Sequence, residues 1–212
     1  KSNNFTELLS GSEQASVRKA VTDSYDVLYG NWPSAYDEVV MVLNKNNEIS
    51  SAVLYQLGIL PTSEYKDIMK KIDASEEVTM DTLKLSYEDI CNKEYYLVPA
   101  SDTYLKDDSG NYKSISNDTA KLKDIVADGL KLKVVGVVRQ NDDNDNALIN
   151  NAIGYTKALT DYLIDYADKS DVVKAQRENK DINVTNGMAF SPADDNAKIA
   201  DAKVYLANLG VS

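Results

Sequence analysis

Histidine is absent from all 212 residues, and cysteine occurs once, at Cys91. The first absence excludes Ser-His-Asp and Cys-His catalysis and any histidine-based zinc site. The second excludes an internal disulfide and a thiolate metal cluster. It leaves Cys91, which follows Ile90, to be read as a small, partly buried hydrophobe. Long apolar runs are missing too. The longest, Val39–Leu43 and Val134–Val138 with Gly136 inside it, fall far short of the roughly 20 residues that cross a bilayer. Positive charge is in deficit, with 34 acids against 23 bases and a net charge of -11. That balance disfavours nucleic acid and direct adhesion to anionic lipid headgroups, since both need a basic face; the acids read as a solvated surface. The chain does not open on Met and shows no signal-peptide pattern, so the expectation is a processed or excised segment of a longer protein.

What remains carries little catalytic signal. There is no Gly-x-Ser-x-Gly elbow, phosphate-binding glycine loop or dinucleotide fingerprint. The two Ser-x-x-Lys tetrads, Ser16 to Lys19 and Ser63 to Lys66, lack the companion motifs of serine acyltransferases. The acidic loop Asp142–Asn146 suggests calcium. Counted from Asp142, however, the sixth and twelfth positions of an EF-hand loop hold Ala147 and Ile153, where glycine and a bidentate acid are needed. Asn4, Asn117 and Asn183 stand in Asn-x-Thr sequons and read as ordinary turn residues. Trp32, the only tryptophan, reads as a plug at the edge of a core, with a partner contact as the alternative. No cofactor or metal ligand set emerges, and no catalytic residue is assigned.

The hydrophobic spacing predicts a mixed, α+β chain. Helix is expected over residues 1–30, broken at Ser10–Ser12, with a turn at Gly30–Pro33. A strand is expected over Val39–Leu43. A helix capped by Ser50 follows and ends at Gly58, and another runs from Thr62 or Ser63 to Ile72. Residues 78–139 read as β-rich. They hold alternation over Thr79–Leu85, a strand Glu94–Val98, a hairpin joining Tyr104–Lys106 to Tyr112–Ile115, and a strand Leu130–Val138. Helix is expected again over 147–179, then a short strand at Ile182–Val184 and a final helix, Ala193–Leu209, closed by Gly210.

Two stretches also carry a resemblance. The first contains Tyr29-Gly30-x-Trp32-Pro33, Tyr36-Asp37-Glu38-Val39-Val40, Asn46-Asn47-Glu48-Ile49-Ser50 and Leu54-Tyr55-x-Leu57-Gly58. The second contains Val134-Val135-Gly136-Val137-Val138-Arg139, Ile153-Gly154-Tyr155-Thr156-x-Ala158-Leu159 and Asn183-Val184-x-x-Gly187. In this order and spacing, over about residues 25 to 190, they resemble the extracellular region of MacB/FtsX-type ABC transporter permeases of Gram-positive bacteria. The resemblance implies a porter-like α/β part with an inserted, mostly β, Sabre-like part, as in MacB-type periplasmic core domains. It places residues 1–35 with 140–212 in the porter-like part and 36–139 in the insertion, within one ectodomain spanning 1–212. Such ectodomains continue with a further strand and helix where this chain stops at Ser212, so a trimmed or shorter porter half is expected.

The resemblance also implies a role. The domain is expected on the extracellular face of the membrane, joined to its own transmembrane helices and working with a cytoplasmic ATPase and a second permease copy. It would be non-enzymatic and would pass ATP-driven motion to an extracellular peptide, lipoprotein, antibiotic or cell-wall partner. The partner-contact candidates are Asn31 and Trp32 on the Gly30–Pro33 turn and Asp142 and Asp143 in the acidic loop. A free-standing secreted or surface-anchored binding protein is the alternative. A carboxylate-only enzyme such as a glycosidase is a third reading, for which no pair of the 34 acids stands out.

Overall fold

A computed structural model describes residues 4–12, 15–76, 84–108, 110–143 and 146–208. Its strands are β1 (Phe5–Glu7), β2 (Tyr25–Gly30), β3 (Glu38–Leu43), β4 (Glu94–Leu97), β5 (Tyr104–Lys106), β6 (Tyr112–Ser114), β7 (Leu130–Gln140) and β8 (Ile153–Tyr155). Its helices are α1 (Lys19–Thr22), α2 (Ser51–Gln56), α3 (Thr62–Asp73), α4 (Tyr87–Cys91), α5 (Thr119–Val126), α6 (Lys157–Asp168), α7 (Asp171–Glu178) and α8 (Asp195–Asn208). The architecture is α+β. The chain divides into two compact units, one of Lys1–Tyr95 with Lys131–Asp161, the other of Tyr96–Leu130 with Tyr162–Ser212.

The first unit is organised by the two apolar runs. Val39–Leu43 is buried along its whole length, the pattern of a strand covered on both faces. It becomes β3, the middle of a mixed sheet of order β1-β8-β3-β7-β2, with β4 also paired to β7. β3 runs parallel to β7 and antiparallel to β8, while β1 is parallel to β8 and β2 antiparallel to β7. Side chains alternate across the sheet. On one face Val40, Val42 and Val138 pack with Leu8, Val17, Val21, Tyr25 and Ile149. Each such side chain, fully buried, contributes about 1.5–3 kcal/mol.

Local chemistry explains the β3–α2 connection. The side chain of Asn44 accepts from the backbone N–H groups of Asn46 (3.0 Å) and Glu48 (2.9 Å), which closes the turn. Ser50 Oγ then accepts from Val53 N–H and caps α2. Gly58 ends the helix region in the left-handed conformation, φ 66°. The expected helices at Ser50–Gly58 and Thr62–Ile72, the strands at 39–43, 94–98 and 130–138, and the β5–β6 hairpin are all present.

Several expectations are corrected. The described residues of 1–30 are not two helices; they form β1, one turn of helix and β2. Leu8, Val17, Val21 and Tyr25 do share one core, so their spacing marks a common burial and not a common helix. The chain folds back at Gly11, where an added Cβ would lie 2.3 Å from the carbonyl of Ala15. Residues 147–179 do not begin as helix. Ile153–Tyr155 is a strand held between β1 and β3, and α6 starts only at Lys157. The stretch 78–139 carries two helices, each with its own cap. Ser86 Oγ accepts from Asp89 N–H at the start of α4, and Asp118 Oδ1 accepts from Ala120 and Lys121 N–H at the start of α5. The alternation read over Thr79–Leu85 falls largely outside the described residues, and Gly210 falls outside them as well. Ile182 forms only an isolated bridge with Ala189.

The compact units also follow other lines than an insertion of 36–139. One sheet takes β1 and β2 from residues 1–35, β3, β4 and β7 from 36–139, and β8 from 140–212. The physical reason is that β3, apolar on both faces, needs neighbours on both edges and finds them in β7 and β8.

In the second unit, β5 and β6 pair through the Asp107–Asn111 turn, where Asp107 Oδ1 accepts from Asn111 N–H at 2.9 Å. Ser170 Oγ caps α7. Tyr166 of α6 donates its phenol to Asp102 at 2.9 Å.

Among the buried polar atoms of the first unit that have no hydrogen-bond partner is a phenol. The hydroxyl of Tyr95 is buried and unbonded, and burial pushes its pKa up to about 12. The Tyr95 ring meets Phe5 edge-on at 6.0 Å. Tyr95→Phe keeps that contact and removes the orphaned hydroxyl, so it is expected to raise stability by about 1 kcal/mol in urea melts. The folded-state pKa lies above the ordinary value of 10.0. The folded form therefore holds its proton more tightly, and wild-type stability falls as pH rises above that value. The phenylalanine variant is expected to lose less over the same range.

Candidate partner-contact surface

The connector from Gly30 to Glu38 links β2 to β3 and holds two of the four contact candidates. Its first residues are clamped onto β7. β7 carries one extra residue there, since Val39 pairs with Val134 and Val40 with Gly136, and such a bulge re-aims a backbone group. The Val135 carbonyl accepts from Asn31 N–H at 3.0 Å. Gly30 has φ 65°, and a Cβ there would lie 2.0 Å from Val135 O. A Cβ on Gly136 would lie 2.3 Å from Asn31 O. Two glycines therefore let two backbones cross in contact, a use that no other residue permits.

Trp32 follows and turns inward. It is half-buried, packs against the core cluster and meets the Tyr25 ring edge-on at 6.3 Å and 88°. Tyr25 in turn accepts from Ile149 N–H at 2.9 Å, and burial raises its pKa. Trp32 is thus the core plug of the two readings. Asn31 is exposed. The far end of the connector is tied by Glu38, whose Oε2 accepts from Ser34 N–H (2.8 Å), Ser34 Oγ (3.0 Å) and Ala35 N–H (3.1 Å). The Ser34 backbone bond, foremost, holds the Glu38 pKa below its ordinary 4.5. Next to it Lys133 donates to Asp37 at 2.8 Å, which raises the lysine pKa.

The Glu38 tie gives a pH prediction. A depressed carboxylate pKa adds stability above the unfolded-state value and loses it as pH falls through the folded-state value. Glu38→Gln is expected to cost about 1 kcal/mol at neutral pH, because a neutral amide replaces a charged acceptor at a partly solvated site. The gap from wild type is expected to narrow as pH falls below the ordinary carboxylate value and to close only once pH has passed below the depressed folded-state value, where both side chains are neutral. Denaturant midpoints across pH measure it, and a gap independent of pH excludes the role.

Asp142 and Asp143 lie apart from this connector in sequence, on the exposed turn after β7. Asn144 and Asp145 are outside the described residues. Arg139, at the end of β7, donates to Asp26 of β2 at 2.7 Å. That bond first, and the nearby charges of Asp26 and Asp142, raise its pKa. The turn therefore presents its acids beside an arginine already neutralised from β2.

Two accessible aromatics were not among the sequence candidates. Tyr29 is 44% exposed and Tyr36 is 42% exposed. Tyr29 precedes the connector and Tyr36 lies within it, where Asn31 and Ser34 are exposed as well. Tyr29 lies 6.5 Å from the Tyr87 ring, whose hydroxyl donates to Asn47 at 3.1 Å. Strand alternation alone points Tyr29 inward with Tyr25. The register shift between Val27 and Tyr29 turns it to the other face.

Three groups raised by the sequence or lining a concavity have other engagements. Lys19 of the first Ser-x-x-Lys tetrad holds Asp23 at 2.7 Å. The Cys91 thiol pKa is raised by burial, which disfavours the nucleophilic thiolate. A concavity of about 350 Å³ is lined by Ile59, Leu85, Asp89, Ile90, Asn92 and Lys93. Its carboxylate, Asp89, already accepts from Ser86 Oγ at 2.6 Å as part of the α4 cap. Among the described residues no three histidine, cysteine or acidic side chains are grouped to hold a metal, and no helix is long and apolar enough to cross a membrane.

No model of a known protein family, no curated protein and no solved structure matches this chain.

Proposed function

We propose that this chain is the extracellular domain of a MacB/FtsX-type ABC transporter permease and that it transmits motion without performing chemistry. One observation carries the reading. The segments that bear the resemblance, widely separated in sequence, lie side by side in one sheet: β3 from the first stretch pairs with both β7 and β8 from the second. The Val39-Val40, Val134–Arg139 and Ile153–Tyr155 parts of the motif set meet in this sheet, as a domain built around it would require; Asn183–Gly187 lies in the second compact unit. The same motifs account for the Gly30/Gly136 crossing, the Ser50 cap and the Gly58 terminus.

In this reading the sheet is the stiff part of the lever and the Gly30–Glu38 connector is a contact surface. Passing motion requires packed elements that move as units, which a connector tied at both ends supplies. The working assembly includes the protein's own transmembrane helices, a cytoplasmic ATPase and a second permease copy. Its substrate is an extracellular peptide, lipoprotein, antibiotic or cell-wall partner.

The full-length reading frame tests this first, with apolar spans of about 20 residues expected on both sides. A lipobox or sorting signal in their place would instead indicate a surface-anchored binding protein. The second test is topological. With Cys91 replaced by serine, Asn31→Cys in intact cells is expected to react with a membrane-impermeant maleimide. Labelling only after lysis overturns the extracellular placement.

A further inference from the structure

We propose that Asn186 is this chain's site of spontaneous deamidation and that the turn Ile182–Ala189 gates it, so that loss of the amide follows opening of that turn. Asn186-Gly187 is the only Asn-Gly pair in the sequence. The chemistry needs the backbone nitrogen of Gly187, once it gives up its proton, to attack Cγ of Asn186. A nitrogen–carbon bond forms, the bond to the side-chain nitrogen breaks, and ammonia leaves. Water then opens the succinimide ring at either carbonyl, giving aspartate or isoaspartate. Glycine after the asparagine favours closure, because no side chain hinders the attacking nitrogen.

The fold occupies both reacting groups. Gly187 N–H donates to Asn183 O at 2.7 Å, and Asn186 Oδ1 accepts from Met188 N–H at 2.9 Å. The first bond blocks loss of the amide proton, and the second fixes the side chain away from free rotation. The turn around them is tied from both ends. Asn183 N–H donates to Met188 O at 2.8 Å and Phe190 N–H to Asp181 O at 2.9 Å. Gln176 of α7 reaches over to hold it, accepting from Val184 N–H at 3.2 Å and donating to Ile182 O at 2.9 Å. Attack therefore requires these bonds to open together, and local opening of this kind sets the rate of reactions at protected amides.

The step also alters the turn. Gly187 has φ 75°, and a Cβ there would lie 3.1 Å from Asn111 Oδ1. Both products add a negative charge to the turn, and isoaspartate also lengthens the backbone at residue 186 by one methylene, next to the tightly fitted Gly187. The Asn183-x-x-x-Gly187 spacing thus makes a compact turn and also holds a reactive pair in check.

The test incubates the purified chain in mildly alkaline buffer, folded and in denaturant. It follows the tryptic peptide Asp181–Lys198 by mass for the gain of about one dalton, with isoaspartyl methyltransferase labelling as a second readout. The folded chain is expected to react at least about ten-fold more slowly than the denatured one. Gln176→Ala, folded and with its global unfolding midpoint checked, is expected to lie between them. Hydrogen exchange at the Gly187 amide of the wild-type protein is the independent measure, and it is expected to be slow. Equal rates in folded and denatured chain overturn the gate. So does a Gly187 amide that exchanges freely while Asn186 survives.

Discussion

Replacing Gly136 by alanine is expected to lower the unfolding free energy by about 3 kcal/mol or more, because the new methyl meets backbone and not a movable side chain. The atoms it would strike are Asn31 O at 2.3 Å, Asn31 N at 2.9 Å and Tyr29 O at 3.0 Å. None can move without breaking the Asn31–Val135 bond or the β2–β7 ladder. Against a typical total of about 5–15 kcal/mol, this is a large share. Gly58→Ala is the matched control. That glycine has φ 66° but nothing within 4 Å of the added methyl, so only the left-handed penalty of about 1–2 kcal/mol applies. Denaturant midpoints of the two variants separate crowding from backbone strain. Equal losses would mean that the two backbones do not cross at Gly136.

Trp32→Ala is expected to cost about 2–4 kcal/mol, from lost burial, the cavity left behind and the edge-on contact with Tyr25. The indole closes one edge of the cluster formed by Leu8, Val17, Val21, Tyr25, Val40 and their neighbours. Its loss also removes the ring packed edge-on against Tyr25, whose hydroxyl accepts from Ile149 N–H. Trp32 is the chain's only tryptophan, so the melt is followed by far-ultraviolet circular dichroism. Asn31→Ala and the pair Asp142→Asn with Asp143→Asn alter exposed side chains, and each is expected to stay within about 0.5 kcal/mol of wild type. The contrast has a functional use. Loss of a partner by the Asn31 or Asp142/Asp143 variants reports a surface contact, whereas loss by Trp32→Ala reports a damaged fold. A Trp32→Ala protein as stable as wild type would reverse that assignment.

Part of this was legible in the chain itself because the signals are local. Ser50, three residues before Val53, and Gly58, just past the last apolar position, mark α2 by capping chemistry that needs no tertiary partner. The run Val39–Leu43 marks a buried strand, and Asp107–Asn111 marks a hairpin turn. Other signals were local but overlooked: Ser86 with Asp89, and Asp118 two residues before Ala120, cap α4 and α5 inside a stretch read as β-rich. For Trp32 the residue type favoured a core plug while its turn position left a partner contact open, and the packing against Tyr25 decides for the plug.

What the residues determined alone was the α+β mixture, most element types and the exclusion of histidine and disulfide chemistry, since those depend on identity and near-neighbour spacing. Only the folded chain decided that residues 1–30 form strands, that Ile153–Tyr155 pairs between β1 and β3, and that Tyr29 faces outward. Each of these hangs on a partner more than a hundred residues away, Ile153 for Phe5 and Val137 for Tyr29. No spacing rule within a segment carries that information, because a strand's edge bonds and a bulge's register are satisfied by the neighbour and not by the strand itself.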